Sequence, residues 1–322
     1  MVIKINEQIT RKQHYVWQKY LRPWLTNGKL WWERKGLIRN TDTESILRLK
    51  DTYKIERLNK SEQYLLEKLF FDDKRTSVNE LNKNWLEYFK VFNTLEDIAT
   101  SESSQDFIDK SRIKFGEDML THAENLGSKA LQRLINGDIG FFNNEESEDN
   151  TDTIDFMYFC CYQLFRTKKM KDNVIKTMST PETLGRLDSA FSEAIDWNKL
   201  MAQGIHGLVT RVAHGLYAKK NKYYLTLFET VDNEFATSDQ PIFNINEKVE
   251  GKLLPEEFDL YFPISKTRAL LITDKIKTNE KKQLTSEEVD SYNTMMRKNA
   301  HEFFIGSSES IIKKYPPQSQ SN

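Results

Sequence analysis

The stretch TRKQHYVWQKYLRPW, Thr10–Trp24, holds the first side chains that can do chemistry. His14 stands between Gln13 and Tyr15, with several cations nearby in the chain. A histidine titrates near neutral pH and can act as a general base or bind a metal ion. It can equally anchor the start of a helix, so both roles stay open. We expect the stretch to be buried, because its bulky aromatic side chains are costly to expose together to water. They are Tyr15, Trp17, Tyr20 and Trp24.

A carboxylate and a guanidinium form the second candidate group. Glu124 falls inside a predicted helix at the edge of its apolar stripe, where a buried carboxylate needs a partner. Arg166 lies on a strongly apolar predicted helix, Thr153 to about Lys171, and Gln163 lies three residues earlier on the same face. We therefore expect a buried, hydrogen-bonded Glu124–Arg166 pair, with Thr10–Trp24 packed against the helix that carries Arg166. The pair can be structural or catalytic.

The turn TSDQP, Thr237–Pro241, presents a hydroxyl and a carboxylate directly after a β-type run. Asp239 can cap its own backbone in an Asx-turn. Alternatively, it presents a carboxylate at a strand end, where ligand sites often form, with Ser238 beside it. The turn therefore has both a structural and a functional interpretation.

Two histidines, His206 and His214, lie eight residues apart on one predicted helix. Eight residues of helix span about 12 Å, so the two side chains cannot bind one metal ion together. The position of His214 between apolar residues favours a core role. The motifs HExxH, GxGxxG and GxSxG and a P-loop are all missing from the sequence, which disfavours several nucleotide-binding and hydrolase folds.

Composition describes a polar globular chain of 322 residues, with 38% hydrophobic and 30% charged residues. The net charge of −1 argues against a strong nucleic-acid binder. However, residues 1–60 carry 14 Lys or Arg against 6 Asp or Glu. This positive segment can attract phosphate groups, or it can be a solvated surface with internal ion pairs.

Cysteine usage and hydropathy favour a cytosolic protein. Cys160 and Cys161 are adjacent in an apolar run, which predicts buried free thiols in a reducing compartment. The first residues lack the apolar region of a signal peptide, and no apolar run approaches the ~20 residues of a membrane span. We expect no membrane partner, and the oligomeric state stays open.

The hydrophobic patterning predicts strands, then helices, then strands again. N-terminal strands are expected in 28–58, a helical block in 59–220, C-terminal strands in 222–273 and a last helix in 285–304, opened by a capping box from Thr285 to Glu288. The simplest packing is one α+β domain, 1–315, in which both strand groups join one antiparallel sheet against the helices. Residues 316–322 are predicted to be a disordered tail.

Six motifs in order resemble an uncharacterised bacterial family, domain of unknown function 4238. They are QHYVW with a following Tyr-Leu, HAENLGSKAL around Glu124, YQLFRT with Gln163, Arg166 and Thr167, FATSDQPIF, DLYFPISKTRALLI and YNTMMRKNAHEFFIGS. Trp17 replaces a usual proline, and Gln240 replaces a usual asparagine. The resemblance also favours His206 over His214, and it implies a bacterial accessory protein, with some members linked to defence against phage.

Three hypotheses of function follow. The first is a phage-defence or toxin-type effector that cleaves phosphodiesters, with Mg²⁺ or Mn²⁺ held by Glu124 and Asp239. His14 would then be the base, Arg166 would stabilise charge in the transition state, His206 would complete the catalytic set, and the substrate would contact Gln13, Tyr15, Gln163 and Ser238. The second is a sensor or binding module for a nucleotide or protein ligand. The third is a purely structural buried polar network.

Overall fold

The computed structural model describes residues 11–142, 151–186, 194–246 and 259–317. The strands are β1 (Lys12–His14), β2 (Leu30–Arg34), β3 (Leu37–Thr41), β4 (Arg48–Lys50), β5 (Tyr224–Glu229), β6 (Thr237–Ser238), β7 (Phe243–Asn244), β8 (Asp259–Pro263), β9 (Arg268–Thr273), β10 (Glu280–Gln283) and β11 (Phe304–Gly306).

The helices are α1 (Gln18–Leu21), α2 (Lys60–Leu65), α3 (Thr76–Ile98), α4 (Glu102–Ile135), α5 (Asp152–Phe165), α6 (Lys168–Met178), α7 (Pro181–Gly185), α8 (Trp197–Tyr217), α9 (Ser286–Asn299) and α10 (Glu309–Lys314). Short 3₁₀ turns lie at Arg22–Trp24 and Lys220–Lys222, and a π-helical turn at Leu66–Phe71 follows α2. The predicted α+β class is confirmed. Of the predicted tail, residues from 318 onward lie outside the described residues. Among the described helices, none is both long and apolar enough to span a bilayer.

A four-stranded antiparallel sheet joins the two ends of the chain in the order β3-β2-β11-β6. Ile305 in β11 lies opposite Trp32 on one side and Thr237 on the other. This sheet confirms the prediction that N-terminal and C-terminal strands pair. It also fixes the start of the TSDQP turn, because β6 is its edge strand.

A five-stranded sheet, in the order β10-β5-β9-β8-β7, contains C-terminal strands only. The prediction of one antiparallel sheet is therefore wrong in two respects: there are separate sheets, and β10 pairs with β5 in parallel. The sequence of β10, EKKQ, is exposed along its whole length. It has no apolar alternation, so its pattern carries no strand signal.

Contacts divide the described residues into two compact units, while the single domain stays a prediction. The first unit comprises residues 11–13, 48–122 and 194–211. The second comprises residues 14–47, 123–186, 212–246 and 259–317, and it contains both larger sheets.

Helices α4 and α5 approach closely within the second unit. A Cβ built on Gly127 of α4 would lie 2.1 Å from Cγ of Phe159 in α5, which shows that only glycine fits there. Residue 124 lies almost one helical turn before this contact. Residue 163 lies about one turn beyond Phe159, so an antiparallel pair of helices brings Glu124 towards the end of α5.

Candidate functional site

The opening stretch packs against the C-terminal end of α5, as the sequence predicts, although Thr10 lies outside the described residues. Nε of Arg166 donates to the backbone carbonyl of Tyr15 at 3.2 Å. The backbone N–H of Trp17 donates to Oε1 of Gln163 at 3.2 Å. A proline at this position, as in the motif that the sequence resembles, has no N–H to donate. The substitution at Trp17 therefore adds a hydrogen bond to the site.

The Glu124–Arg166 pair is confirmed. Nη1 of Arg166 donates to Oε1 of Glu124 at 2.7 Å. The side chain of Arg166 is 2% exposed and that of Glu124 is 19% exposed. The pair thus has a buried cation and a carboxylate that still reaches the surface. Because Arg166 is the C-cap of α5, its charge also faces the negative end of the helix dipole.

Two donors at this site have no acceptor among the described residues. Nη2 of Arg166 and Nε2 of Gln163 are both buried and without a hydrogen-bond partner. The amide orientation of Gln163 is fixed because Trp17 donates to its oxygen. An unsatisfied buried donor costs about 1–3 kcal/mol, and more when the group is charged. Two such donors, three residues apart along the chain, are therefore the most distinctive feature of the site.

His14 and Gln13 have different surroundings, although they are neighbours in the chain. Nε2 of His14 lies 3.2 Å from the backbone carbonyl of Thr43 in the second unit. A carbonyl only accepts, so this nitrogen carries the proton. Gln13 belongs to the first unit, where its Oε1 accepts the backbone N–H of Tyr53 at 3.1 Å. Within the first unit, Gln13 therefore anchors the backbone at Tyr53.

The carboxylate of Asp239 holds the segment that precedes β11. It accepts the backbone N–H groups of His301 and Glu302 at 2.9 and 2.8 Å. Burial raises the pKa of Asp239, while these hydrogen bonds act in the opposite direction. The expected Asx-turn is made by the preceding residue instead, because Oγ of Ser238 accepts the N–H of Gln240 at 3.0 Å.

A side-chain hydrogen bond ties the TSDQP turn to the end of α5. Oγ1 of Thr167 donates to Oε1 of Gln240, and Nε2 of Gln240 donates to the carbonyl of Ile242 at 2.8 Å. Thr167 directly follows Arg166, and Gln240 directly follows Asp239. The turn and the Arg166 group are thus joined by this hydrogen bond and by the backbone between residues 166 and 167, and together they form the polar network of the second unit.

His206 lies in the first unit, whereas the residues of this network lie in the second. Its ring stacks on Trp85 with centroids 4.3 Å apart and is also near Phe89. Burial lowers the pKa of His206 to about 3, which keeps the imidazole neutral at pH 7. Its catalytic assignment stays a prediction, and its surroundings are those of a packed aromatic cluster.

The buried side chain of Asn82, in the first unit, is a polar feature that was not predicted from the sequence. Nδ2 of Asn82 donates to the carbonyl of Phe71, the last residue of the π-helical turn, at 2.6 Å. Its Oδ1 is buried without a partner among the described residues. Asn82 also lines an open cavity of about 370 Å³ with charges of both signs around it. No motif in the sequence marks Asn82, because its role depends on a turn that only the fold reveals.

The two predicted metal ligands already bind protein groups. Glu124 accepts from Arg166, and both carboxylate oxygens of Asp239 accept backbone N–H groups. Within the described ranges, no group of three or more His, Cys, Asp or Glu residues is placed to hold a metal ion. The Mg²⁺ or Mn²⁺ site stays a prediction.

The chain matches one family model among known proteins. A family model described as "Protein of unknown function (DUF4238)" matches residues 12–310. No curated protein and no solved structure matches the chain. The matched range includes the opening stretch from Lys12, the Glu124–Arg166 pair and the TSDQP turn, so the whole network lies within it.

Proposed function

We propose a ligand-binding function for this chain, which belongs to the DUF4238 family. The ligand carries a phosphate or carboxylate group, and Arg166 and Gln163 hold that group. Such a protein is a sensor or binding module, and its ligand is a small anion. Its place in phage defence or in a toxin system stays a prediction.

The observation that carries the proposal is the pair of buried donors without acceptors, Nη2 of Arg166 and Nε2 of Gln163. In the same network, Nε and Nη1 of Arg166 and Oε1 of Gln163 are all hydrogen-bonded. Each of the two remaining donors needs an acceptor oxygen, which a bound ligand can supply. Phosphate and carboxylate groups supply such oxygens, and a guanidinium is the usual donor for them.

The neighbouring charges support an anion of modest size. Glu124 neutralises one edge of the Arg166 guanidinium, and it leaves the Nη2 edge for a second acceptor. Because Glu124 is partly exposed, a ligand can displace it or approach beside it. The aromatic side chains of Tyr15 and Trp17 line the same segment and exclude bulk water, which strengthens a charged hydrogen bond.

A thermal-shift panel tests the proposal. Inorganic phosphate, a nucleoside monophosphate, a nucleoside triphosphate and succinate are each titrated against the protein. A ligand that binds only the folded state raises stability by RT ln(1 + [L]/Kd), which is about 2.7 kcal/mol at 100 Kd. We expect a shift with a phosphate- or carboxylate-bearing compound. Failure of the whole panel, together with a fully stable protein, favours the structural network instead.

The variant Gln163→Glu makes the test specific. It keeps the oxygen that accepts from Trp17, but it replaces the donor with a carboxylate oxygen beside Arg166. We expect it to abolish the ligand-induced shift while the protein stays folded. Gln132→Glu, an exposed amide-to-acid exchange on α4, is the matched control and should keep the shift. Equal ligand shifts in both variants would remove Gln163 from the site.

A metal-dependent nuclease is the second candidate, and one observation favours it. The Glu124 carboxylate reaches the surface next to a buried guanidinium, and a cation there can stabilise charge in a phosphoryl transition state. His14 directly precedes Tyr15, whose carbonyl accepts from Arg166, so a base is close in the chain. Cleavage of single-stranded RNA or DNA with Mg²⁺ or Mn²⁺, lost in Glu124→Gln, would support this function over simple binding.

A further inference from the structure

Helix α3 carries a second apolar face that points to solvent. Five of the nine most exposed large hydrophobic residues in the described part of the chain lie on it. Their exposed fractions run from 38% to 68%, for Leu81, Tyr88, Val91, Leu95 and Ile98. The buried residues of α3, Val78, Asn82 and Phe89, lie on a different face. A single exposed leucine needs no explanation, but a continuous stripe of this length indicates a partner.

The spacing of the stripe identifies the kind of partner. Leu81, Tyr88 and Leu95 are seven residues apart, and Val91 and Ile98 follow the same period with an offset of three. This is the a/d pattern of a heptad repeat, with an average period of 3.5 residues. A heptad stripe is complementary to another helix with the same period. A membrane surface is not favoured, because the flank of the stripe carries Glu87 and is not cationic.

The stripe is complementary to itself in one antiparallel register. When two copies of α3 are related by a two-fold axis that passes between residues 89 and 90, each a position faces a d position. The facing pairs are Leu81 with Ile98, Tyr88 with Val91, and Leu95 with Asn84. Glu87 flanks the stripe near the two-fold axis, and Nζ of Lys90 in the same copy, 2.9 Å from Oε1 of Glu87, offsets its charge.

We propose that α3 docks antiparallel against α3 of a second copy of this chain and forms a homodimer. The contact is isologous, because the same surface is used by both copies. The helix of 23 residues spans about 35 Å, long enough for three heptads of contact. The proposal is independent of the ligand-binding function, since α3 lies in the first unit and the Arg166 group lies in the second.

Sedimentation analysis of the full chain from about 1 to about 100 µM tests the dimer. The wild type should approach twice the protomer mass of 38.0 kDa at the highest concentration. Tyr88→Glu and Ile98→Glu each place two carboxylates in the apolar contact of a symmetric dimer. Each should raise the dimer dissociation constant about 100-fold or more. A wild type that stays monomeric throughout, or variants that dimerise as well as the wild type, would overturn the proposal.

Val231→Glu is the matched control, because Val231 is 82% exposed and lies outside α3. It should dimerise like the wild type. If it also became monomeric, the loss would reflect added charge and not the α3 stripe, which would contradict the proposal. Circular dichroism shows whether each variant keeps its fold, and retention is expected because all substituted side chains are exposed.

Cross-linking tests the register even if a glutamate variant fails to fold. A mixture of Tyr88→Cys and Val91→Cys chains should form a disulfide-linked dimer between the two different variants under mild oxidation. Tyr88→Cys alone should link poorly, because residue 88 faces residue 91 of the second copy. The native thiols of Cys160 and Cys161 are buried, so the wild type gives the background. Efficient linking of Tyr88→Cys to itself would indicate a parallel pair and would overturn the antiparallel register.

Discussion

Removal of the Glu124 carboxylate should destabilise the fold, because Arg166 then loses its anionic partner. Breaking a buried ion pair by removing one member costs about 3–5 kcal/mol. Arg166 is 2% exposed but Glu124 is 19% exposed, so water can solvate part of the lost contact. Nε of Arg166 also keeps its bond to Tyr15. We therefore expect Glu124→Ala to lower the free energy of unfolding by about 2–4 kcal/mol.

Urea unfolding followed by circular dichroism measures this loss. If the variant and the wild type have the same m value, the slope of unfolding free energy against urea concentration, then a shift in midpoint reports a change in stability alone. Glu124→Gln keeps a neutral acceptor for Nη1, so its loss should be smaller than that of Glu124→Ala. The control is Glu182→Ala, which breaks the ion pair between Glu182 and Arg186. In this pair the side chain of Arg186 is 73% exposed and that of Glu182 is 78% exposed. If Glu124→Ala were no more damaging than this control, the pair would not stabilise the site.

Three further predictions concern groups with shifted pKa values or fixed hydrogen bonds. The pKa of His206 falls from 6.5 to about 3 on folding, so its contribution to stability is complete above pH 6.5 and is lost as the pH falls below it. Between pH 7 and pH 5 the wild type should lose about 2 kcal/mol through this residue. His206→Phe should lose that much less in urea unfolding, whereas the exposed control His122→Gln should behave like the wild type. Asp239→Asn should cost about 1–3 kcal/mol in the same assay, because its amide nitrogen would face a backbone N–H; an unchanged midpoint would show that these bonds are not needed. Burial raises the pKa of Cys161 to about 12, so native protein should react with a thiol reagent far more slowly than urea-unfolded protein, and equal rates would contradict its burial.

Some contacts of the site could be predicted from residue types alone, because a side chain of that type is stable in the fold only with one kind of contact. The aromatic opening stretch had to be buried, and a carboxylate at the edge of an apolar stripe, Glu124, needed a cation, so the contacts with Arg166 could be predicted. The capping box from Thr285 to Glu288 was predicted as well and is present at the start of α9. These features depend on local sequence or on a strong physical requirement.

Features that depend on long-range pairing could not be predicted. The parallel strand β10 has a charged, exposed sequence, and its place is set by its pairing with β5. The donors without acceptors on Gln163 and Arg166 depend on the exact path of residues 15–17. The observed role of Asp239 differs from the predicted Asx-turn. Its carboxylate oxygens accept the backbone N–H groups of residues 301 and 302, which are more than sixty positions away in the chain.

Anomalous diffraction from crystals soaked with selenate, a tetrahedral analogue of phosphate, tests the central claim most directly. The proposed function predicts a selenium peak whose oxygens lie about 2.7–3.2 Å from Nη2 of Arg166 and Nε2 of Gln163. The peak should be missing in crystals of Gln163→Glu treated in the same way. A selenate that binds elsewhere while these two nitrogens hold only water, or no acceptor at all, would contradict anion binding at this site.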